Sequence, residues 1–154
     1  MTTTTKEKVE EVLQFAIDNE AKAVEFYTRL AGLQESASLK EMFSSLAAEE
    51  RRHKAKLEKV RSGGKLLKSG VKLSRTVDLS DYLTPPEPSG DLDLQDALLL
   101  SMRKEKAAFS LYMDMASAAS DPAVKDLFLS LAREEASHKL RFELEYDRVI
   151  QPDN

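Results

Sequence analysis

His53 and His138 are the only histidines in the chain, and each follows a glutamate, Glu50 or Glu135, by three residues. The stretches that hold them, EERRHK from Glu49 and EEASHK from Glu134, lie 85 positions apart. At i and i+3 on a helix, two side chains project side by side. Each pair can therefore offer a carboxylate oxygen and an imidazole nitrogen to one point. Thirty residues before each of these glutamates stands another, Glu20 or Glu105. Four carboxylates meeting in one core would repel and lose hydration, at a cost of several kcal/mol each. Two divalent cations remove that cost, because four glutamate charges balance them with both imidazoles neutral. Oxygen and imidazole donors without thiolate favour iron or manganese, with zinc a further occupant.

The elements that must position these groups are readable from apolar spacing. In the second helix Leu39, Phe43, Leu46, Glu50, His53 and Leu57 follow steps of three and four. The fourth repeats the pattern with Val124, Phe128, Leu131, Glu135, His138 and Phe142. Leu13, Ala16, Glu20, Ala23, Tyr27 and Leu30 mark the first, and Leu98, Ser101, Glu105, Ala108, Tyr112 and Met115 the third. Such steps keep residues on one face, the seam of a helical bundle. Each seam is apolar except at its middle, where every helix carries a glutamate and two carry a histidine. SASL and SDPAV suit helix starts, with Pro122 in a first turn. The short links before them make each helix pair an antiparallel hairpin.

A shift of 85 without gaps superposes Glu20 on Glu105, Tyr27 on Tyr112, Phe43 on Phe128 and Glu50 on Glu135. One domain is expected, with hairpins over about 6–61 and 92–149 around a pseudo-two-fold axis. The crossover between them, about 62–91, is long enough to run from one end of the bundle to the other. It holds most of the glycines and prolines, and its pieces VKLSRTV and DLSDYL fit either a strand or a helical turn. Loops of this length usually have a task.

Composition sets the outer bounds. The absence of cysteine excludes disulfides, thiolate metal sites and cysteine nucleophiles. A net charge of -4 without a clustered basic tract argues against a nucleic-acid partner. No apolar run approaches the roughly 18 residues of a membrane span, and MTTTTKEK lacks the apolar core of a signal peptide. A cytoplasmic protein is expected.

The motifs EAKAVEFY, EERRH, EKAAFSLY and EEASH, together with DLSDYL in the crossover, resemble the ferritin-like domain of the rubrerythrin family over essentially the whole chain after Thr5. The resemblance implies an all-α, ferritin-like four-helix bundle with a di-iron site of Glu20, Glu50, His53, Glu105, Glu135 and His138. Two iron ions per chain are expected, with Glu20 and Glu105 as terminal ligands. Tyr27 and Tyr112, which alone would read as core aromatics, become donors to ligand carboxylates. Glu49 and Glu134 lie just off the seam, either solvated or supporting the ligands. Met102, Met113 and Met115 read as core filler.

Two departures matter. Full-length rubrerythrins append a four-cysteine rubredoxin-like iron site, which a chain without cysteine cannot form, so electrons must come from a separate donor protein. They also carry an extra glutamate three residues after the first ligand of the third helix, where this chain has Ala108, mirrored by Ala23. The six-ligand set is equally like that of bacterioferritins, but the haem-ligating methionine of that group falls at Arg51, so haem is not expected. The leading function is reduction of hydrogen peroxide, or of dioxygen, at a di-iron centre. Ferroxidase activity with iron storage is the alternative, and a metal-stapled structural bundle the third. The long crossover allows hairpins to exchange between two chains, and a homodimer is expected.

Overall fold

Each of the four apolar stripes folds as a long helix. The computed structural model describes residues 5–63, 78–88, 90 and 92–150. Helix α1 spans Thr5–Leu33 and α2 spans Ala37–Gly63. Helix α3 spans Leu94–Ala118 and α4 spans Pro122–Ile150. No strand occurs among the described residues, and none of the described helices is long and apolar enough to cross a membrane.

The helix starts follow local chemistry. Ser36 Oγ accepts a hydrogen bond from the Leu39 amide at 3.4 Å, opening α2. Asp121 accepts from the Ala123 amide at 3.2 Å, and Pro122 takes the first position of α4, where a missing N–H costs nothing. Asp93, unremarked by the apolar spacing, caps α3 by accepting from the Asp96 amide at 2.8 Å.

Most helix–helix packing lies within the hairpins, α1 on α2 and α3 on α4. The two hairpins share two apolar clusters. One gathers Val9, Leu13, Leu57, Leu111, Phe128 and Leu131, and the other Phe26, Leu30, Phe43, Leu46, Leu98 and Phe142. Between these clusters sits the layer of buried glutamates and histidines. Met102 and Met115 pack in the clusters as expected. Met113 does not: its off-seam position leaves it 37% exposed.

The end of the crossover is pinned to both hairpins. Leu79–Tyr82 forms a single 3-10 turn, begun by Asp78, which accepts from the Ser80 amide at 3.0 Å and the Ser80 hydroxyl at 2.6 Å. Of the two undecided pieces, DLSDYL is thus a helical turn, while VKLSRTV lies outside the described residues. Tyr82 is buried, and its hydroxyl donates to Asp114 on α3. Farther on, Gly90 has a φ of 107°, which suits glycine alone. Arg29 of α1 donates to its carbonyl.

Phe128, 1% exposed, stacks on Tyr112 at 6.3 Å between centroids. Phe128→Ala should therefore lower stability by about 3–5 kcal/mol, read by urea denaturation of the metal-free protein. A loss under about 1 kcal/mol would mean that the cluster collapses around the deletion.

Candidate metal centre

The six predicted residues converge at mid-bundle, and none is more than 3% exposed. They form two groups that could each hold a metal ion. One consists of Glu20, Glu50, His53 and Glu135, the other of Glu50, Glu105, Glu135 and His138. Glu50 and Glu135 belong to both groups, while Glu20 and Glu105 belong to one each. The spacing of the motifs thus becomes a geometry with two shared carboxylates in the middle and one carboxylate and one imidazole at each end.

Both imidazoles turn Nδ1 inward. His53 Nδ1 lies 2.7 Å from Glu135 Oε1 and 3.5 Å from Glu50 Oε2. His138 Nδ1 lies 2.9 Å from Glu50 Oε1 and 3.5 Å from Glu105 Oε2. The two rings stack at 5.9 Å with an interplanar angle of 11°. Despite this crowding, one inward atom on each of the six residues lacks a hydrogen-bond partner: Glu20 Oε2, Glu50 Oε1, His53 Nδ1, Glu105 Oε2, Glu135 Oε1 and His138 Nδ1. Buried polar atoms are almost always paired. Six orphans facing one space, four from carboxylates and two from imidazoles, suit the two candidate cation positions, and Glu49 Oε2 behind His138 is a further buried atom without a hydrogen-bond partner.

The outward atoms are held from across the bundle. Tyr27 on α1 donates to Glu105 Oε1 on α3 at 2.5 Å, and Tyr112 on α3 donates to Glu20 on α1. His53 Nε2 on α2 hydrogen-bonds Glu134 on α4. His138 Nε2 lies 2.9 Å from Glu49 Oε2 on α2. Glu49 and Glu134, left between two roles by the sequence, therefore brace the histidines. A carboxylate behind a ligating imidazole fixes ring orientation and tautomer.

Without metal, the cluster balances its charge with protons. Burial and the neighbouring Glu50 push the Glu20 carboxyl well above its usual range. Burial and the charges of Glu105, Glu50 and Glu20 do the same to Glu135. Burial would raise Glu50 too, but contacts with Glu20, His138 and His53 outweigh it and leave Glu50 the readily ionised member. Burial opposes a charged His138, yet Glu105 and Glu50 prevail and push it up to about 10. His53 is raised in the same way by Glu50 and Glu134. Burial raises both tyrosines, which stay protonated donors.

On one side of the centre, between α1 and α3, lies a cavity of about 120 Å³. Ala23, Ala108 and Leu111 line it with the crossover residues Tyr82, Leu83 and Thr84, and it reaches all four carboxylates. It extends to Lys22 and Leu83 at the exposed surface. Several water-sized molecules fit. Lys104, also in its wall, pairs with Glu87 at 3.0 Å and lies 4.9 Å from the Phe26 ring centre.

The rubrerythrin family model matches residues 11–146. The chain belongs to the rubrerythrin family. A hypothetical protein from Pyrococcus furiosus is 28% identical over 94% of this chain and 92% of its own, with a TM-score of 0.69. A putative ferritin-like di-iron-carboxylate protein from Thermotoga maritima is 19% identical, covers 92% of this chain and 95% of its own, and has a TM-score of 0.70. The second likeness is one of fold, and it makes the rubrerythrin chain a ferritin-like four-helix bundle. No curated protein sequence matches it.

The raised pKa values set the pH dependence of the metal-free protein. A histidine raised from 6.5 to about 10 adds stability that is fully present below pH 6.5 and is lost as pH climbs through 10. Raised carboxyl groups act in the same direction, holding protons in the folded state that the unfolded chain has released above pH 4.5. The metal-free Tm should therefore fall steadily from pH 6.5 to pH 10, a trend that calorimetry across that range would read. A flat or rising Tm would mean that the cluster does not hold these protons.

Proposed function

We propose that the chain is a non-haem di-iron oxidoreductase that reduces hydrogen peroxide with electrons from a separate donor protein in the cytoplasm. Glu20, Glu50, His53, Glu105, Glu135 and His138 would hold two iron ions, Glu50 and Glu135 being common to the two groups of residues and Glu20 and Glu105 belonging to one each. A ferrous pair held there would supply the two electrons that reduction of peroxide to two water molecules takes up with two protons, and the donor would replace them.

The observation that carries this reading is the cavity between Ala23 and Ala108, which gives a small oxidant a route to the carboxylates. An extra glutamate at Ala108, as in full-length rubrerythrins, would project into this space. The residues of this chain have defined work. Tyr27 and Tyr112 hold Glu105 and Glu20 in orientation by donating to them. Glu134 and Glu49 keep the inward nitrogens of His53 and His138 aimed at the centre. The apolar clusters above and below exclude bulk water, which strengthens every electrostatic contact inside.

Metal analysis after anaerobic loading with Fe²⁺ should return two ions per chain. Glu20→Ala should keep one, because the group around Glu105 and His138 is intact without it. Glu50→Ala should weaken both. One ion or none in wild type would overturn the ligand assignment. Loading should also raise the melting temperature, because metal binds the folded chain alone.

The diferrous protein should react faster with hydrogen peroxide than with dioxygen in anaerobic stopped-flow mixing, and should still carry two irons afterwards. Ala108→Phe, which fills the cavity, should slow the peroxide reaction by about tenfold or more while two irons remain bound. Faster oxidation by dioxygen, with iron accumulating far beyond two per chain, would replace this reading with a ferritin-like store.

A further inference from the structure

The cover over the centre differs between its two sides. On the α1–α3 side the crossover turn adds a further layer, broken by the cavity. On the α2–α4 side the cover is a single layer of side chains. His53 and His138 turn Nδ1 inward, and their Nε2 atoms meet Glu134 and Glu49. The Glu134 side chain is 46% exposed and that of Glu49 30%. One imidazole and one carboxylate thus separate the centre from solvent. Electron tunnelling weakens steeply with distance, so a reductant too large for the cavity reaches the centre best across this face. The surface there is basic, although the chain carries a net charge of -4. Arg52, Lys56 and Lys59 of α2 recur by three or four residues and so share one side of the helix. All three are exposed, as is Arg133 beside Glu134 on α4. Lys56 and Lys59 line a recess with Ala123, Val124 and Leu127 of α4, which places them on the seam between the two helices. The acids behind the histidines are already engaged. Glu49 lies 3.7 Å from Arg141 and 3.8 Å from Arg52, and Glu134 is held by His53. Lys56, Lys59 and Arg133 pair with no acid among the described residues.

We infer that this α2–α4 face is the docking surface of the electron donor, and that the donor is an acidic protein with a one-electron centre near its own surface. This rests on the proposed reaction, which needs such a donor. Each encounter moves one electron from the donor into the centre and leaves the donor oxidised by one electron. Two encounters restore what the reduction of one peroxide takes up. On a chain that is acidic as a whole, unpaired cations steer an acidic partner to this face and away from the rest. A small, charged contact also suits a donor that must leave after each transfer, since redox encounters bury less area than stable complexes. Donor and oxidant then approach from opposite sides of the centre, and neither blocks the other.

An acidic flavodoxin serves as the probe, with the iron-loaded full chain. Titration calorimetry of the two oxidised proteins should show binding that weakens steeply with salt, while a basic cytochrome c should show none. Carbodiimide, which joins lysine to carboxylate, should link the flavodoxin to Lys56 or Lys59. K56E/R133E should keep wild-type helicity by circular dichroism, since both positions are exposed. It should bind flavodoxin about tenfold or more weakly, and reduced flavodoxin should transfer electrons to it more slowly in proportion. R103E/K106E makes the same charge change at exposed positions of α3 and should match wild type in both measurements. Equal binding and equal reduction in the two double variants would overturn the proposal. So would cross-links confined to lysines of α1 and α3. If the diferrous chain fails to react with peroxide while flavodoxin still docks through Lys56 and Arg133, the peroxide reaction falls and the docking surface stands.

Discussion

Six ionisable groups packed at the centre of a helical bundle constrain everything around them. An unpaired charge in that position costs several kcal/mol, so each carboxylate and imidazole must find a proton, a donor or a cation. The solution divides the atoms of Glu20, Glu105, His53 and His138. The outer atoms take hydrogen bonds or close contacts from protein, and the inner atoms face a shared space without partners. Apolar clusters close the layer from both ends. Stability is thereby made conditional on what fills the centre, which is the usual relation between a metal site and its fold.

The position three residues after each glutamate divides the two sides of the centre. After Glu50 and Glu135 it is histidine, and after Glu20 and Glu105 it is alanine. On the α2 and α4 side, imidazoles fill the space and carboxylates from the opposite hairpin back them. On the α1 and α3 side, Ala23 and Ala108 leave a cavity, which the crossover turn partly walls. One register position thus separates a side filled by imidazoles from a side left open. The crossover, tied to α3 through Tyr82 and Asp114, supplies the wall that neither hairpin provides.

The six residues that converge at mid-bundle were legible in the sequence because they repeat at inward positions, where chance rarely puts charge twice. The hairpin order was legible too, since apolar steps of three and four together with short links leave few alternatives. The pairing across the bundle was not. That Tyr27 reaches Glu105 while His53 reaches Glu134 depends on the offset between hairpins, which no spacing within one hairpin encodes. Glu49 and Glu134 stayed ambiguous for the same reason. The crossover turn was undecided because six residues carry too little periodicity to separate a strand from a single turn. Met113 was misjudged because composition, unlike register, says nothing about which face a residue occupies.

The crosswise contacts also answer what sets the register of the two hairpins. Leucine, phenylalanine and alanine clusters tolerate many arrangements of similar volume, and a slip of one turn would move a helix by about 5.4 Å while still burying apolar surface. The polar layer does not tolerate it. One such slip would part Tyr27 from Glu105, Tyr112 from Glu20, His53 from Glu134 and His138 from Glu49 together, leaving their buried charges unmatched. Buried polar groups that fix register are a known use of otherwise costly interactions. Each hairpin carries the braces for the central carboxylates and imidazoles of the other. The centre is therefore assembled only when the two hairpins meet at one offset, and the same contacts that aim its carboxylates and imidazoles select that offset.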